Sequence, residues 1–169
     1  ICEALPDKGQ LRVVYRVVGA GTKEFSKLHA GAEVEVMGPL GNGYTLRDKK
    51  AVLIAGGIGI PPMLELAKRL DCEKTIVLGY RDELFLTEDF APYGKVVLAS
   101  EDGRHGTKGN VLDAIREQAV DGDVIYACGP IPMLRAIKEY GLSNGMEVQI
   151  SMEEKMACGI GACLACVCN

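Results

Sequence analysis

The chain has 169 residues, of which 48% are hydrophobic and 25% are charged, a balance typical of a globular protein with a buried core. Its formal net charge of −4 argues against nucleic acid or an anionic membrane surface as a partner, because phosphate contacts need clustered Lys and Arg. No apolar run approaches the roughly 20 residues that a membrane-spanning helix needs.

The first part of the sequence predicts antiparallel strands and one short helix. Residues 10–18, QLRVVYRVV, are rich in β-formers and precede the turn GAG, so they predict a strand. Thr22 is then expected to cap a helix that carries Phe25 and Leu28 on one face. Residues 32–44, AEVEVMGPLGNGY, alternate and then enter a Gly/Pro loop, which predicts a second strand.

Beyond the polar stretch RDKK, buried strands alternate with helices. The apolar runs that predict strands lie at 50–59, 74–80, 94–100, 123–129 and 146–152, and the segments that predict helices lie at 60–70, 86–91, 109–120 and 130–141. This alternation indicates an α/β fold with a five-stranded, parallel, doubly wound sheet. We expect a domain boundary near residue 49, where the two patterns meet.

The cysteines and the N-terminus favour the cytoplasm. Seven cysteines are spread unevenly, and the opening ICEALPDKGQ has neither the basic nor the apolar segment of a secretion signal. A secreted disulfide framework would be shorter, with more evenly spaced cysteines. The opening also lacks an initiator Met, which indicates that the chain starts inside a longer reading frame.

Two glycine-containing motifs follow predicted strands and open predicted helices. These are AGGIGIPPM at 55–63 and YACGPIPM at 126–133. Glycines let backbone approach an anion, and a helix N-terminus offers unpaired N–H groups, so both turns predict nucleotide contacts along one crevice at the ends of parallel strands. The alternatives are a ligand-free glycine turn for the first motif and a small buried side chain for Cys128 in the second.

A third motif combines VYRVVGAGT at 14–22 with GPLGNGY at 38–44. Arg16, the glycine turn and the helix start at Thr22 would suit a second diphosphate. A hairpin with a capped helix explains the same residues equally well.

The most specific motif is MACGIGACLACVCN at the C-terminus. Cys158, Cys163 and Cys166 have the C-x4-C-x2-C spacing of plant-type [2Fe–2S] proteins, and the small residues between them let a loop wrap closely around a cluster. A zinc site is the weaker alternative, because the histidines, His29 and His105, lie far away in sequence. Structural free thiols are weaker still.

Taken in order, these motifs resemble the ferredoxin–NADP reductase superfamily, and within it the iron–sulfur electron-transfer subunit of two-subunit, NAD-dependent dihydroorotate dehydrogenase. The resemblance covers essentially the whole chain. It implies part of an antiparallel FAD-binding β-barrel over 1–48, an NAD-binding α/β domain over 49–152 and the start of a [2Fe–2S] cluster loop over 153–169.

The resemblance also assigns residues. The matched positions are Val14, Tyr15, Arg16, Gly21 and Thr22 for FAD; Gly56, Gly57, Gly59, Gly129 and Pro130 for the nucleotide, with Cys128 positioned beside the nicotinamide; and Cys158, Cys163 and Cys166 for the cluster. Because cofactors carry the redox steps, no general acid or base on this chain is required.

The implied activity belongs to pyrimidine biosynthesis. Electrons would pass from an FMN-containing dihydroorotate dehydrogenase subunit, in a heterotetramer, through the [2Fe–2S] cluster and FAD to NAD. NAD is favoured over NADP because Arg81, after the second α/β strand, is followed by Asp82 and Glu83, which disfavour a 2′-phosphate. A solvated surface charge explains Arg81 equally well.

Two other functions stay open. One is a flavin and iron–sulfur reductase subunit of a hydrogenase, sulfide dehydrogenase or transhydrogenase, although Leu164 stands where those relatives are expected to have Gly. The other, of a different class, is a cofactor-free interaction domain with the same fold.

The sequence departs from the family pattern at both ends. The Arg-Pro-x-Ser flavin motif of an earlier barrel strand is absent, and the family's fourth cluster cysteine would follow Asn169. Cys168 is too close to Cys166 to replace it. We therefore expect this stretch of chain to hold a cluster poorly by itself.

Overall fold

A computed structural model describes residues 1–152, 154, 157–163 and 166–167, and the chain divides into two units. The sheet unit comprises Ile1–Val14 and Tyr44–Met152, and the loop unit comprises Tyr15–Gly43 and Glu153–Asn169. In chain order the elements are β1 (Glu3–Leu5), β2 (Gln10–Arg12), α1 (Ala20–Phe25), β3 (Ala51–Gly56), α2 (Ile60–Arg69), β4 (Lys74–Tyr80), α3 (Thr87–Phe90), β5 (Lys95–Ser100), β6 (Thr107–Lys108), α4 (Val111–Glu117), β7 (Val124–Cys128), α5 (Ile131–Ser143) and β8 (Glu147–Ser151).

A parallel sheet forms the centre of the sheet unit. Within the described residues it has six strands, in the order β6–β5–β4–β3–β7–β8, and each neighbouring pair is parallel. All six residues of β3 are buried, because helices cover both faces of a doubly wound sheet and leave no side of a central strand exposed to water. The predicted α/β class is confirmed.

The sheet has one strand more than the sequence predicts. The five predicted strands correspond to β3, β4, β5, β7 and β8, and the missed strand is β6, which pairs with the outer edge of β5. A strand of two residues, Thr107–Lys108, is too short to show the alternation of apolar and polar residues that predicts a strand. The predicted count of five was therefore wrong.

Alternate residues of β3 define the two layers of the core. Ala51, Leu53 and Ala55 pack with α2 on one face, whereas Val52 and Ile54 pack with α4 and α5 on the other. This alternation follows from the two-residue period of a strand.

An antiparallel hairpin of β1 and β2 packs against α2. The amide of Ala4 donates to Glu65 Oε2 at 2.9 Å, and Lys68 Nζ donates to Glu3 Oε1 at 2.8 Å. The predicted strand over 10–18 is therefore confined to Gln10–Arg12, since no described segment pairs with the residues that follow.

The loop unit differs from its sequence prediction. Gly19, not Thr22, caps α1; Thr22 lies at the third helical position, where its hydroxyl accepts hydrogen bonds from the amides of Val18 and Gly19. No strand forms over 32–44, where Val36 is 73% and Met37 71% exposed. An alternating pattern becomes a strand only when another segment pairs with it.

No helix in the described part of the chain is long and apolar enough to cross a membrane.

Candidate functional site

The turn between β3 and α2 is built from glycines and prolines. Gly57 has φ +55°, and a short 3₁₀ segment over Gly57–Gly59 leads into α2. Pro61 and Pro62 lie in the first turn of α2, where a missing N–H breaks no intrahelical hydrogen bond. The result is a helix N-terminus at the carboxyl end of the central strand.

A second turn of the same kind lies beside it, between β7 and α5. Cys128 ends β7, Gly129 has φ +155°, and Pro130 caps α5. Because β3 and β7 are parallel neighbours with Ala55 opposite Cys128, both strands deliver their chain ends to the same edge of the sheet.

The two turns are in direct contact. A Cβ on Gly59 would lie 2.3 Å from the Cys128 carbonyl oxygen, and a Cβ on Gly129 would lie 3.1 Å from the Gly56 oxygen. The structure thus brings the two predicted turns together. These glycines also let the backbones of the two turns touch, a role that neither the nucleotide-binding interpretation nor the ligand-free alternative included.

Tyr44 is a residue of this region that the sequence analysis did not single out. Its hydroxyl donates to the Ala127 carbonyl oxygen at 2.8 Å, and its ring packs edge-on against Tyr126, with centroids 5.4 Å apart. Burial raises the pKa of Tyr44 above its usual value, so the hydroxyl remains a donor at neutral pH. The only sequence indication was an aromatic residue ending GPLGNGY.

Arg81 follows β4 at the same edge of the sheet. Its Nε lies 3.4 Å from Glu101 Oε1, and both side chains are exposed. Arg81 is thus a solvated charge that already has an acidic partner, in addition to the acidic neighbours noted in the sequence.

The residues matched to FAD fall in both units. Val14 is half-buried in the sheet unit, whereas Tyr15, Arg16, Gly21 and Thr22 belong to the loop unit. Within the loop unit, the Tyr15 ring lies 5.9 Å from that of Phe25.

The cysteine loop is folded around one sulfur. The Cys163 amide donates to Cys158 Sγ at 3.4 Å, and Gly159 and Gly161 adopt positive φ angles of 73° and 78°. Hydrogen bonds from the backbone of Cys163 and Ile160 lower the pKa of Cys158 to about 6. This backbone arrangement stabilises a thiolate, the form that ligates iron.

The three matched cysteines differ in their exposure. Cys158 and Cys166 are half-buried and Cys163 is exposed, and in the described ranges no three His, Cys, Asp or Glu side chains are placed to hold a metal ion. The donor chemistry fits iron and sulfide: soft sulfur ligands with amides directed at one of them. Leu164 and Cys168 lie outside the described residues.

Comparison with known proteins identifies the family. No family model matches the chain. It is 43% identical, over 178 aligned positions, to the electron transfer subunit of dihydroorotate dehydrogenase B (NAD(+)) from Geobacillus kaustophilus, covering 100% of this chain and 68% of that protein. It is 44% identical to the corresponding subunit from Caldanaerobacter subterraneus, covering 96% and 67%.

A solved structure shows a similar fold. An NADH-dependent reduced ferredoxin–NADP oxidoreductase superposes with a TM-score of 0.89 and 29% identity over 98% of this chain, which spans 63% of that protein's length. The ferredoxin–NADP reductase-like fold expected from the motifs is confirmed. The chain belongs to the family of electron transfer subunits of NAD(+)-dependent dihydroorotate dehydrogenase B.

Proposed function

We propose that this chain is the NAD-linked part of an electron-transfer subunit. It would pass electrons from an FMN-containing dihydroorotate dehydrogenase subunit through [2Fe–2S] and FAD to NAD, in pyrimidine biosynthesis. The observation that carries the proposal is the contact of the β3–α2 and β7–α5 turns at one edge of a parallel sheet, where open α/β sheets bind nucleotides.

The NAD site is assigned to these two turns. The diphosphate would lie over Gly56, Gly57 and Gly59, where the N-terminus of α2 provides N–H donors and a favourable dipole. Gly129 and Pro130 would shape the opposite wall, and Cys128 would position the nicotinamide. The Arg81–Glu101 ion pair favours NAD over NADP.

The flavin site is assigned to Val14, Tyr15, Arg16, Gly21 and Thr22. Bound FAD would supply the exchange between hydride and single-electron transfer. On this chain, Arg16 would offer its guanidinium to the diphosphate, and the helix start at Gly21 and Thr22 would place backbone amides beside it.

The cluster site is assigned to Cys158, Cys163 and Cys166. A bound [2Fe–2S] cluster would carry one electron at a time. The amides that surround Cys158 Sγ support this assignment, because such donors stabilise the sulfur's negative charge.

The domain division and the assembly complete the proposal. Residues 1–48 would be the last part of the flavin barrel, 49–152 the NAD domain and 153–169 the start of the cluster loop. The partner would be the FMN-containing catalytic subunit, in a cytoplasmic heterotetramer.

The test is a visible absorption spectrum of the full-length protein, produced with iron and flavin supplied, before and after addition of NADH. Overlapping flavin and iron–sulfur bands that bleach on reduction support the function. A colourless protein contradicts it and favours a cofactor-free interaction domain.

A second candidate is a reductase subunit of another redox complex, such as a hydrogenase, sulfide dehydrogenase or transhydrogenase. The 0.89 TM-score with the NADH-dependent ferredoxin–NADP oxidoreductase favours it. Affinity purification from the native cell separates the two functions. A dihydroorotate-oxidising FMN subunit supports the first, and a different redox partner supports the second.

A further inference from the structure

We propose that Tyr44 is a positioning residue of the NAD site: its hydroxyl fixes the peptide that leads into the Cys128–Pro130 turn. This inference rests on the proposed function, since it concerns the wall of the same site. It assigns to the last residue of GPLGNGY a role in hydride transfer that requires no contact with the nucleotide.

A hydrogen bond joins Tyr44 to the residue that precedes Cys128. Tyr44 Oη donates to the Ala127 carbonyl oxygen at 2.8 Å, and Ala127 is completely buried. The Ala127 carbonyl and the Cys128 amide belong to one planar peptide group. Holding the carbonyl therefore sets the direction in which the chain leaves β7.

The next peptide packs against the β3–α2 turn. The group that joins Cys128 to Gly129 lies against Gly59, whose missing side chain permits the contact. Two consecutive peptides around Cys128 are thus fixed, one by a side chain and one by the backbone of the β3–α2 turn. A shift in either peptide would move Cys128 relative to the β3–α2 turn.

Tyr44 is itself well anchored. Its ring packs on Tyr126, whose hydroxyl donates to the Thr45 carbonyl and accepts from the Arg47 amide. The side-chain amide of Gln149 makes paired hydrogen bonds with the backbone of Thr45, at 2.9 and 3.0 Å. The hydroxyl is therefore presented from a rigid segment, as a positioning group requires.

Substitution of Tyr44 by Phe separates positioning from packing, because it keeps the ring and removes the donor. Tyr80 offers a matched control. Its hydroxyl likewise donates to a backbone carbonyl at 2.8 Å, that of Phe85, its ring packs edge-on against the Phe85 ring, and only 5% of the residue is exposed. Tyr80→Phe therefore makes the same chemical change away from the Cys128 turn.

The experiment uses the full-length protein in complex with its FMN subunit. Stopped-flow absorption measures the limiting rate of flavin reduction by NADH and the NADH concentration at half-maximal rate. Iodoacetamide labelling, read by mass spectrometry without NADH, measures alkylation of Cys128. Thermal unfolding verifies that both variants fold.

We expect Tyr44→Phe to lower the limiting rate about 2- to 10-fold, the equivalent of one neutral hydrogen bond. The half-saturating NADH concentration should change less than about 2-fold, because the diphosphate contacts remain. Cys128 should be alkylated at least about 2-fold faster in Tyr44→Phe, and both readouts should be unchanged in Tyr80→Phe.

Equal behaviour of the two variants in the limiting rate overturns the proposal. If the wild-type complex does not oxidise NADH, the proposed function fails separately, and alkylation then decides the role of Tyr44. Faster labelling of Cys128 in Tyr44→Phe alone supports positioning of the turn, and equal labelling overturns it.

Discussion

Gly59 lies against the carbonyl group of Cys128, so that a Cβ on residue 59 would be 2.3 Å from the Cys128 oxygen. The backbone at Gly59 has φ −77°, an angle that any residue adopts. The requirement for glycine therefore comes from the neighbouring strand's turn alone. The contact between Gly59 and Cys128 therefore joins the two turns of the proposed NAD site.

Gly59→Ala should lower the free energy of unfolding by about 1–3 kcal/mol, because the turns must separate to accommodate the methyl group. Chemical denaturation of the full chain measures the loss. Gly43→Ala is the control, since a Cβ there meets nothing within 4 Å. Equal stability of the two variants would show that the turns are not tightly packed.

Glu65 should contribute to acid stability. Burial raises the pKa of its carboxyl. Hydrogen bonds from the Ala4 amide and the Arg69 guanidinium lower the pKa by a larger amount, so the net pKa is below 4.5. A depressed folded-state pKa gives stability that is present above the unfolded pKa and lost as the pH falls through the folded value. Glu65→Gln should therefore cost about 1–2 kcal/mol at pH 7, and the difference should shrink below about pH 4.5.

Denaturant unfolding at a series of pH values tests this difference. Glu139→Gln, on the exposed face of α5, provides the control and should leave the profile unchanged. A cost for Glu65→Gln that stays constant down to pH 3 would contradict the explanation.

The hydroxyl of Thr22 should stabilise the backbone at the start of α1. Its hydroxyl accepts from the amides of Val18 and Gly19, at 3.0 and 3.2 Å. Thr22→Ala should accelerate hydrogen exchange at these two amides about 2- to 5-fold, whereas Thr22→Ser, which keeps the oxygen, should not. Identical exchange in the alanine and serine variants would show that the hydroxyl bonds do not stabilise the turn.

Cys158 should be needed for iron binding. Cys158→Ser in the full-length protein should lower the iron content per chain to less than about half, because a hard alcohol oxygen replaces a thiolate that backbone amides stabilise. Cys72→Ser alters a half-buried cysteine of the sheet unit and should leave the iron content unchanged. Iron analysis and the visible spectrum provide the measurement. Full iron content in Cys158→Ser would contradict the ligand assignment.

The α/β region could be predicted closely because its information is local. The run KTIVLGY matches β4 from Lys74 to Tyr80, and the helix expected over 60–70 is α2. The antiparallel region could not, because an alternating pattern forms a strand only where another segment pairs with it. The alternation over 32–44 accordingly produced no strand.

The sequence predicted the two glycine turns and their place along one crevice, but not the contacts that join them. Each glycine turn was identifiable from a strand, its glycines and a helix start. The contact of Gly59 with Cys128 and the hydrogen bond from Tyr44 to Ala127 join residues 69 and 83 positions apart. No local pattern encodes such pairs.

The sequence by itself determined the order of buried strands and helices, the cysteine spacing and the family, because hydrophobic periods and motifs are properties of neighbouring residues. The tertiary structure alone decided that β3 and β7 lie side by side, that their turns touch, and that Tyr44 is directed at the last carbonyl before Cys128. These facts depend on which distant segments share a sheet, and packing and hydrogen bonding set that arrangement only when the whole chain folds.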